Sequence, residues 1–229
     1  FSELILPLFD KPELAKQDDG AVLTVEQGRL AFSTDSYVVE PIFFPGGNIG
    51  DLAVNGTIND VSMCGATPLY ISVGLIIEEG LPLADLKTIL ESMAGAARKA
   101  GVKIVTGDTK VVERGKADGV FLTTSGIGLV EAAEPIDPRA IRPGDQLLVS
   151  GDLGRHGVAI LAARHGLDLV PPVLSDCAPL WPQVRGLLAA GVRIHCLRDL
   201  TRGGLASALQ ELAVAADVEL AIEEACLPV

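Results

Sequence analysis

The chain lacks most of the features that would place it outside the ordinary globular class. No apolar run reaches the 18 or so residues that a bilayer-crossing helix needs, so no membrane segment is expected. Its N-terminal FSELILPLFD has no basic flank, and its short apolar run is broken by Pro7, which argues against a signal peptide. The four cysteines, Cys64, Cys177, Cys196 and Cys226, show no CxxC or other zinc spacing, and a reducing cytoplasm suits them best. Basic charge is scarce: 18 Lys and Arg stand against 30 Asp and Glu, a net charge of −12. With no basic patch to neutralise phosphates, a nucleic-acid partner is excluded. A nucleotide would meet the same repulsion unless a divalent cation and one or two Lys or Arg side chains neutralised it locally. Neither the Walker A nor the Rossmann glycine spacing occurs, and no internal repeat is visible.

What is present is 229 residues, 48% hydrophobic, enough for one large domain or two modest ones. Two units are the preferred reading, 1–140 and 141–229, because EAAEPIDPRAIRPGD at 131–145 holds three prolines and ends in a turn.

Residues 33–65 organise the first unit. An acidic strand end (Thr34, Asp35, Ser36) leads through a Pro-Gly-Gly turn (Gly46, Gly47) and Asn48 into a helix. At about 100° per residue, Asp51, Asn55, Asn59 and Ser62 form a narrow polar stripe. Asp60 falls instead in the apolar arc, beside Ile49 and Ala53. A carboxylate there is either paired or bound to a cation, since desolvation otherwise costs several kcal/mol. Gly46 and Gly47 admit a phosphate at the helix start, or simply a turn.

Along the rest of the chain, 1–20 reads as an amphipathic helix followed by a polar hairpin-like stretch. Residues 21–35 read as two strand runs about Gln27-Gly28, and 68–79 as a long strand. A helix over 81–101 has Leu83, Leu86, Ile89, Leu90, Met93 and Ala97 as its buried stripe and Gly101 as its stop. A buried strand pattern (Val102, Ile104, Val105) then runs into Thr106, Gly107, Asp108, Thr109 and Lys110. Residues two apart on a strand share a face. Asp108 on a cation with Lys110 on the reacting oxygen suits phosphoryl transfer, and a surface ion pair is the alternative. Residues 120–131 form another strand, in which Ser125, Gly126 and Gly128 tolerate close backbone contact.

The second unit is expected to open with a strand at 147–149, a glycine-rich turn and a helix to His165. His156 reads as a solvated loop histidine or an acid–base group. A helix within 175–191 carries Trp181 in its core, and 217–222 reads as a closing strand. Between them, Asp199 and Thr201 precede Arg202, Gly203, Gly204 and a long helix. That is either an anion site or a simple helix cap.

The motifs STDSYVVEPIFFPGGNIGDLAVNGTINDVSMCGATPLYIS, EEGLP, IVTGDTKVVERG and RDLTRGGL resemble the ATP-binding superfamily of aminoimidazole ribonucleotide synthetase, selenophosphate synthetase and the hydrogenase maturation factors, HypE most closely. The resemblance runs over essentially the whole chain. It implies an α+β, PurM-like pair of domains, the N-terminal sheet forming a barrel across a homodimer, with the C-terminal domain incomplete here. It implies Mg2+ and ATP, with Asp35, Asp60 and Asp108 on the metal and Lys110 as the catalytic residue. Asp35, Gly46, Gly47, Asn48, Asn59, Thr106, Asp108, Thr109, Asp199, Arg202, Gly203 and Gly204 would hold the nucleotide. Asp35 and Asp60 should then meet Asp108 in space.

The implied reaction is dehydration of a protein S-carbamoyl-cysteine to a thiocyanate, which supplies cyanide ligands for [NiFe] hydrogenase. The implied partners are the carbamoyltransferase HypF and a HypC–HypD scaffold. The family's terminal cysteine tail is absent, since LPV follows Cys226, so a truncated chain is expected. Two alternatives stand beside this: a selenophosphate synthetase-like transferase, which would want a cysteine before Cys64, and a dimerising scaffold without activity.

Overall fold

The computed structural model describes residues 21–26 and 28–228; the helix and hairpin-like stretch expected within 1–20 lie outside these. Twelve elements position the site. Strands β1 (Ala21–Val25) and β2 (Gly28–Tyr37) pair antiparallel, with Val25 opposite Gly28; Gln27 of the expected turn lies outside the described residues. The short pair β3 (Phe43–Phe44) and β4 (Gly47–Asn48) follows, then helix α1 (Ile49–Met63) and the long strand β5 (Ala66–Glu78). Helix α2 (Leu83–Ala100) carries the chain over to β6 (Lys103–Val112), and β7 (Val120–Val130) closes the first unit. The second unit holds α3 (Arg155–His165), α4 (Trp181–Ala189) and α5 (Gly204–Ala216).

The main sheet has the order β1-β2-β7-β5-β6, antiparallel except for the parallel β5–β6 pair that α2 bridges. Helices α1 and α2 cover one face, and the largest fully buried side chains, Ile49, Ile58, Ile71, Ile89 and Leu122, lie in that layer. The fold is mixed α+β. Two glycines make the close approach possible: a Cβ at Gly126 would meet Thr57 at 3.0 Å, and one at Gly128 would meet Val61 at 2.5 Å. The close contact expected of them is therefore helix-on-sheet packing.

Helix α1 begins with a capping box. The Asn48 side chain accepts from Gly50 N at 2.8 Å, and Asp51 accepts from Asn48 N at 2.7 Å, which satisfies two otherwise orphaned helix donors. Helix α2 ends as expected at Gly101, whose left-handed φ of 72° suits a residue without a Cβ. Its buried stripe is narrower than periodicity predicts. Ile89, Met93, Ala96 and Ala97 are buried, but Leu83 is 81% exposed and Leu90 43% exposed. Leu90 lies beside Ile104 and Thr106 of β6, beyond which the sheet stops. For the same reason β6 is not the buried strand its Ile104 and Val105 suggest: it is an edge strand, exposed along nearly its whole length.

In the second unit neither expected strand forms. Residues 147–149 and 217–222 pair with nothing among the described residues, and Leu147, Leu148 and Val149 are exposed. A strand exists by its ladder, and an apolar β-branched run without a partner stays an extended segment. The helices were more legible, because their hydrogen bonds are internal. Trp181 is buried as expected, with Val184 and Met63. The two units are fastened by Arg164, which donates to Glu40 O at 3.1 and 2.8 Å, and by Ser175 N, which donates to Pro45 O at 2.8 Å.

Candidate functional site

The acidic end of β2 meets the C-terminal half of α1. Ser33 Oγ donates to Asp60 Oδ2 at 2.6 Å, so the carboxylate in the apolar arc is half-buried and held by the strand beside it. Asp35, two residues along β2, is exposed and accepts from the Ser36 amide at 2.8 Å. Beneath these acids lies a buried polar chain. Tyr37 Oη contacts Thr57 Oγ1 at 3.1 Å, Thr57 Oγ1 contacts Thr124 Oγ1 at 2.5 Å, and Thr124 Oγ1 donates to Ala53 O at 3.1 Å. Burial, then the Asp35 charge, pushes the Tyr37 phenol well above its usual range, so it stays neutral. Only glycine fits at position 56, where a Cβ would stand 2.2 Å from Tyr37 Oη. Gly56 and Thr57, a glycine and a β-branched hydroxyl inside a helical pattern, are the sequence signals for these contacts.

A second buried carboxylate comes from the other unit. Asp199 is 7% exposed, and its acid is raised to about 6 by burial, with Arg198 opposing and Asp35 adding a like charge. Neither Asp199 nor Thr201 caps α5. Gly203 is the cap residue, left-handed at φ 79°, and it makes no side-chain capping bond. A desolvated carboxylate near another acid is the environment that a divalent cation stabilises. The fit to Mg2+ is therefore good in donor chemistry, since that ion takes one or two carboxylates with phosphate and water making up the rest. Among the described residues no group of three or more His, Cys, Asp or Glu side chains lies close enough to hold an ion alone.

Asp108 and Lys110 do share a face of β6 and form an ion pair at 3.0 Å, with the Asp108 acid lowered first by its hydrogen bond to Lys110. Both are exposed, as are Thr106 and Thr109. They do not meet Asp35 and Asp60 within one chain, contrary to the expectation that the three acids converge. Register explains why: Ser36 pairs with Thr123, Thr123 with Gly74, and Gly74 with Asp108, so β7 and β5 intervene. Three strand spacings are about 14 Å, too far for one shared ion.

Other expected ligands have structural duties. The Asn48 side chain caps α1. Asn59 donates to Ala178 O at 3.0 Å and accepts from Leu180 N at 2.9 Å, so its amide clamps the second unit to α1. The Gly46 and Gly47 backbone packs against Ser175 and the Asp51 carboxylate, and a Cβ at either would come within 2.7 Å of those groups. Arg202 and Gly203 are exposed beside Gly204 at the α5 start. His156 is neither a solvated loop residue nor an evident base. It opens α3 with Nδ1 3.0 Å from Ser175 Oγ and its ring edge-on to Phe44, and burial lowers its basicity.

The comparisons with known proteins agree with this architecture. Residues 17–130 match the N-terminal domain of AIR synthase related proteins, and residues 142–229 match the C-terminal domain. The chain is 53% identical over 228 residues to carbamoyl dehydratase HypE of Cupriavidus necator, covering 99% of this chain and 65% of that protein. It thus spans under two thirds of that relative's length. Two solved structures are similar: a HypE–HypF complex (46% identity, TM-score 0.94, covering 100% of this chain and 74% of that one) and HypE in complex with ATP (52% identity, TM-score 0.81, covering 94% and 64%). With these identities spread over both units, the chain belongs to the HypE family of AIR synthase related proteins.

Proposed function

We propose that this chain forms the nucleotide-binding part of an ATP-dependent carbamoyl dehydratase that converts a protein S-carbamoyl-cysteine to a thiocyanate during [NiFe] hydrogenase maturation. The observation that carries the reading is the Ser33-held, half-buried Asp60 at the acidic end of β2, with a buried Asp199 whose acid is raised by burial and, more weakly, by the Asp35 charge, in a chain half identical to a carbamoyl dehydratase. Mg2+ and ATP supply an electrophilic phosphoryl group, which turns the amide oxygen into a phosphate leaving group. The residues of this chain do the rest. Asp35, Asp60 and Asp199 offer oxygen ligands that offset the repulsion between a −12 protein and a polyphosphate. The α5 start, with Gly203, Gly204 and Arg202, points backbone donors and a guanidinium toward an anion. Lys110, positioned by Asp108, stabilises charge on the oxygen that leaves.

The exposed β6 edge and the sheet face opposite the helices, where Phe32, Tyr70, Ile76, Ile127 and Leu129 are 38–47% exposed, support a homodimer in which two sheets join as a barrel. That seam brings the Asp108–Lys110 pair to the interface. HypF and the HypC–HypD scaffold are the proposed partners, in the cytoplasm. None of the described helices is long and apolar enough to cross a membrane. The two units divide at 140/141.

The test is a peptide ending in S-carbamoyl-cysteine, incubated with this chain, Mg2+ and ATP and followed by mass spectrometry. Loss of one water per peptide with stoichiometric phosphate release, abolished by Lys110→Met, is the expected result. Hydrolysis of the carbamoyl group without dehydration would overturn the reading.

A further inference from the structure

A cavity of about 360 Å3 lies between α1, α2 and the segment 177–179, away from the Asp60–Ser33 contact. It is large enough for a small ligand. Its inner wall carries two acceptors from the α1 polar stripe, Asp51 and Asn55. Asn55 is 5% exposed, and its Oδ1 is the one buried side-chain oxygen or nitrogen among the described residues without a hydrogen-bond partner. A buried amide oxygen left unmatched costs about 1–3 kcal/mol, so it requires a donor. Asp51 Oδ1 already accepts from Asn48 N and from Ser92 Oγ at 3.0 Å, which orients its carboxylate in the cavity wall. Lys99 on α2 also lines the cavity, exposed and without an ion pair among the described residues. Gly95 and Ala96 leave the wall between them low.

The occupant must therefore bring a donor, preferably positive, to Asn55 and Asp51, and the Lys99 ammonium in the lining favours one that also carries a negative group. A water meets only the first demand. A metal ion meets the first but is disfavoured by the Lys99 charge in the same lining. We propose that this cavity binds an amino-acid-sized zwitterion, its ammonium on Asn55 Oδ1 and Asp51 and its carboxylate on Lys99. The Cys177 thiol beside it stays protonated, pushed up to about 12 by burial and then by the Asp51 charge, so the site binds without forming a covalent bond.

Glycine and alanine, with methylamine and acetate as half-ligands, are titrated into the full chain by saturation-transfer NMR. Saturable binding of the two amino acids, with each half-ligand about tenfold weaker or silent, is expected. Asn55→Leu and Lys99→Met should each weaken the amino acids about tenfold or more. Lys99→Met changes an exposed residue, so it reports even where Asn55→Leu fails to fold. Silence of both amino acids shows a water-filled cavity and overturns the proposal. So does methylamine equal to glycine, or displacement of glycine by ATP, which would make the cavity part of the nucleotide site.

Discussion

Ser33 Oγ holds Asp60 Oδ2 at 2.6 Å, and this one bond ties the acidic end of β2 to the helix that carries the carboxylate. It also orients Asp60 on the side of α1 away from the clamp that Asn59 makes with residues 178–180. Neighbouring residues on one helix thus serve different purposes, Asn59 joining the units and Asp60 presenting a charge.

Removing the serine hydroxyl should release the carboxylate without removing it. Ser33→Ala is expected to lower stability by about 1.5–3 kcal/mol, as for a hydrogen bond to a charged acceptor. Chemical denaturation measures this. Magnesium-dependent ATP affinity should fall less in Ser33→Ala than in Asp60→Asn, where a tenfold loss or more, ~1.4 kcal/mol, is expected.

The buried chain Tyr37–Thr57–Thr124 predicts a steric failure at Gly56. An alanine there gains up to about 1 kcal/mol of helix propensity, but its Cβ would sit 2.2 Å from Tyr37 Oη. Gly56→Ala should therefore destabilise by about 1–3 kcal/mol, the usual cost of overpacking. Tyr37→Phe in the same background should restore part of that loss, which a double-mutant cycle measures as coupling.

Asp199 sets a pH dependence. Its folded-state acid titrates near 6, above the usual carboxylate value of 3.8, so the folded protein binds more protons than the unfolded chain between those values. Stability of the metal-free protein should fall as pH rises through that window, by about 2–3 kcal/mol at most, and the penalty should persist above it. Asp199→Asn should flatten this slope in urea midpoints measured from pH 4 to 7. With Mg2+ and ATP present the sign reverses for binding, because the ionised form is the ligand: affinity should rise with pH through about 6.

The open sheet face gives an assembly prediction. Ile76 and Tyr70 are 42% and 47% exposed on β5. Ile76→Asp should convert a dimer to a monomer in sedimentation velocity, because a charge on a desolvated face costs several kcal/mol. The midpoint of unfolding of the monomer should become independent of protein concentration.

Much of this was legible in sequence wherever the signal is local. The α1 and α2 spans, the Gly101 stop, the β2, β5 and β7 runs and the Asp108–Lys110 pairing follow from periodicity and glycine placement. What failed depends on partners. Ile104 and Val105 look buried because apolar alternation does not say whether a strand is internal or at an edge. The runs at 147–149 and 217–222 have strand composition but no ladder. Asp60 is recognisable as a carboxylate on an apolar arc, yet the sequence leaves Asp199, more deeply buried, open between an anion site and a helix cap, because burial by another unit leaves no periodic trace. Asp108 stood out as a third acid at a strand end, but its separation from Asp35 is set by strand order, which spacing along the chain does not encode.

The measurement that bears most directly on the account is calorimetric titration of ATP into the chain with and without Mg2+, for the wild type, Asp60→Asn and Asp199→Asn. Saturable binding that requires Mg2+, weakened about tenfold or more by each substitution, is the predicted result. Equal affinity with and without Mg2+, or full affinity in both variants, would contradict the assignment of Asp60 and Asp199 to a cation-dependent nucleotide site.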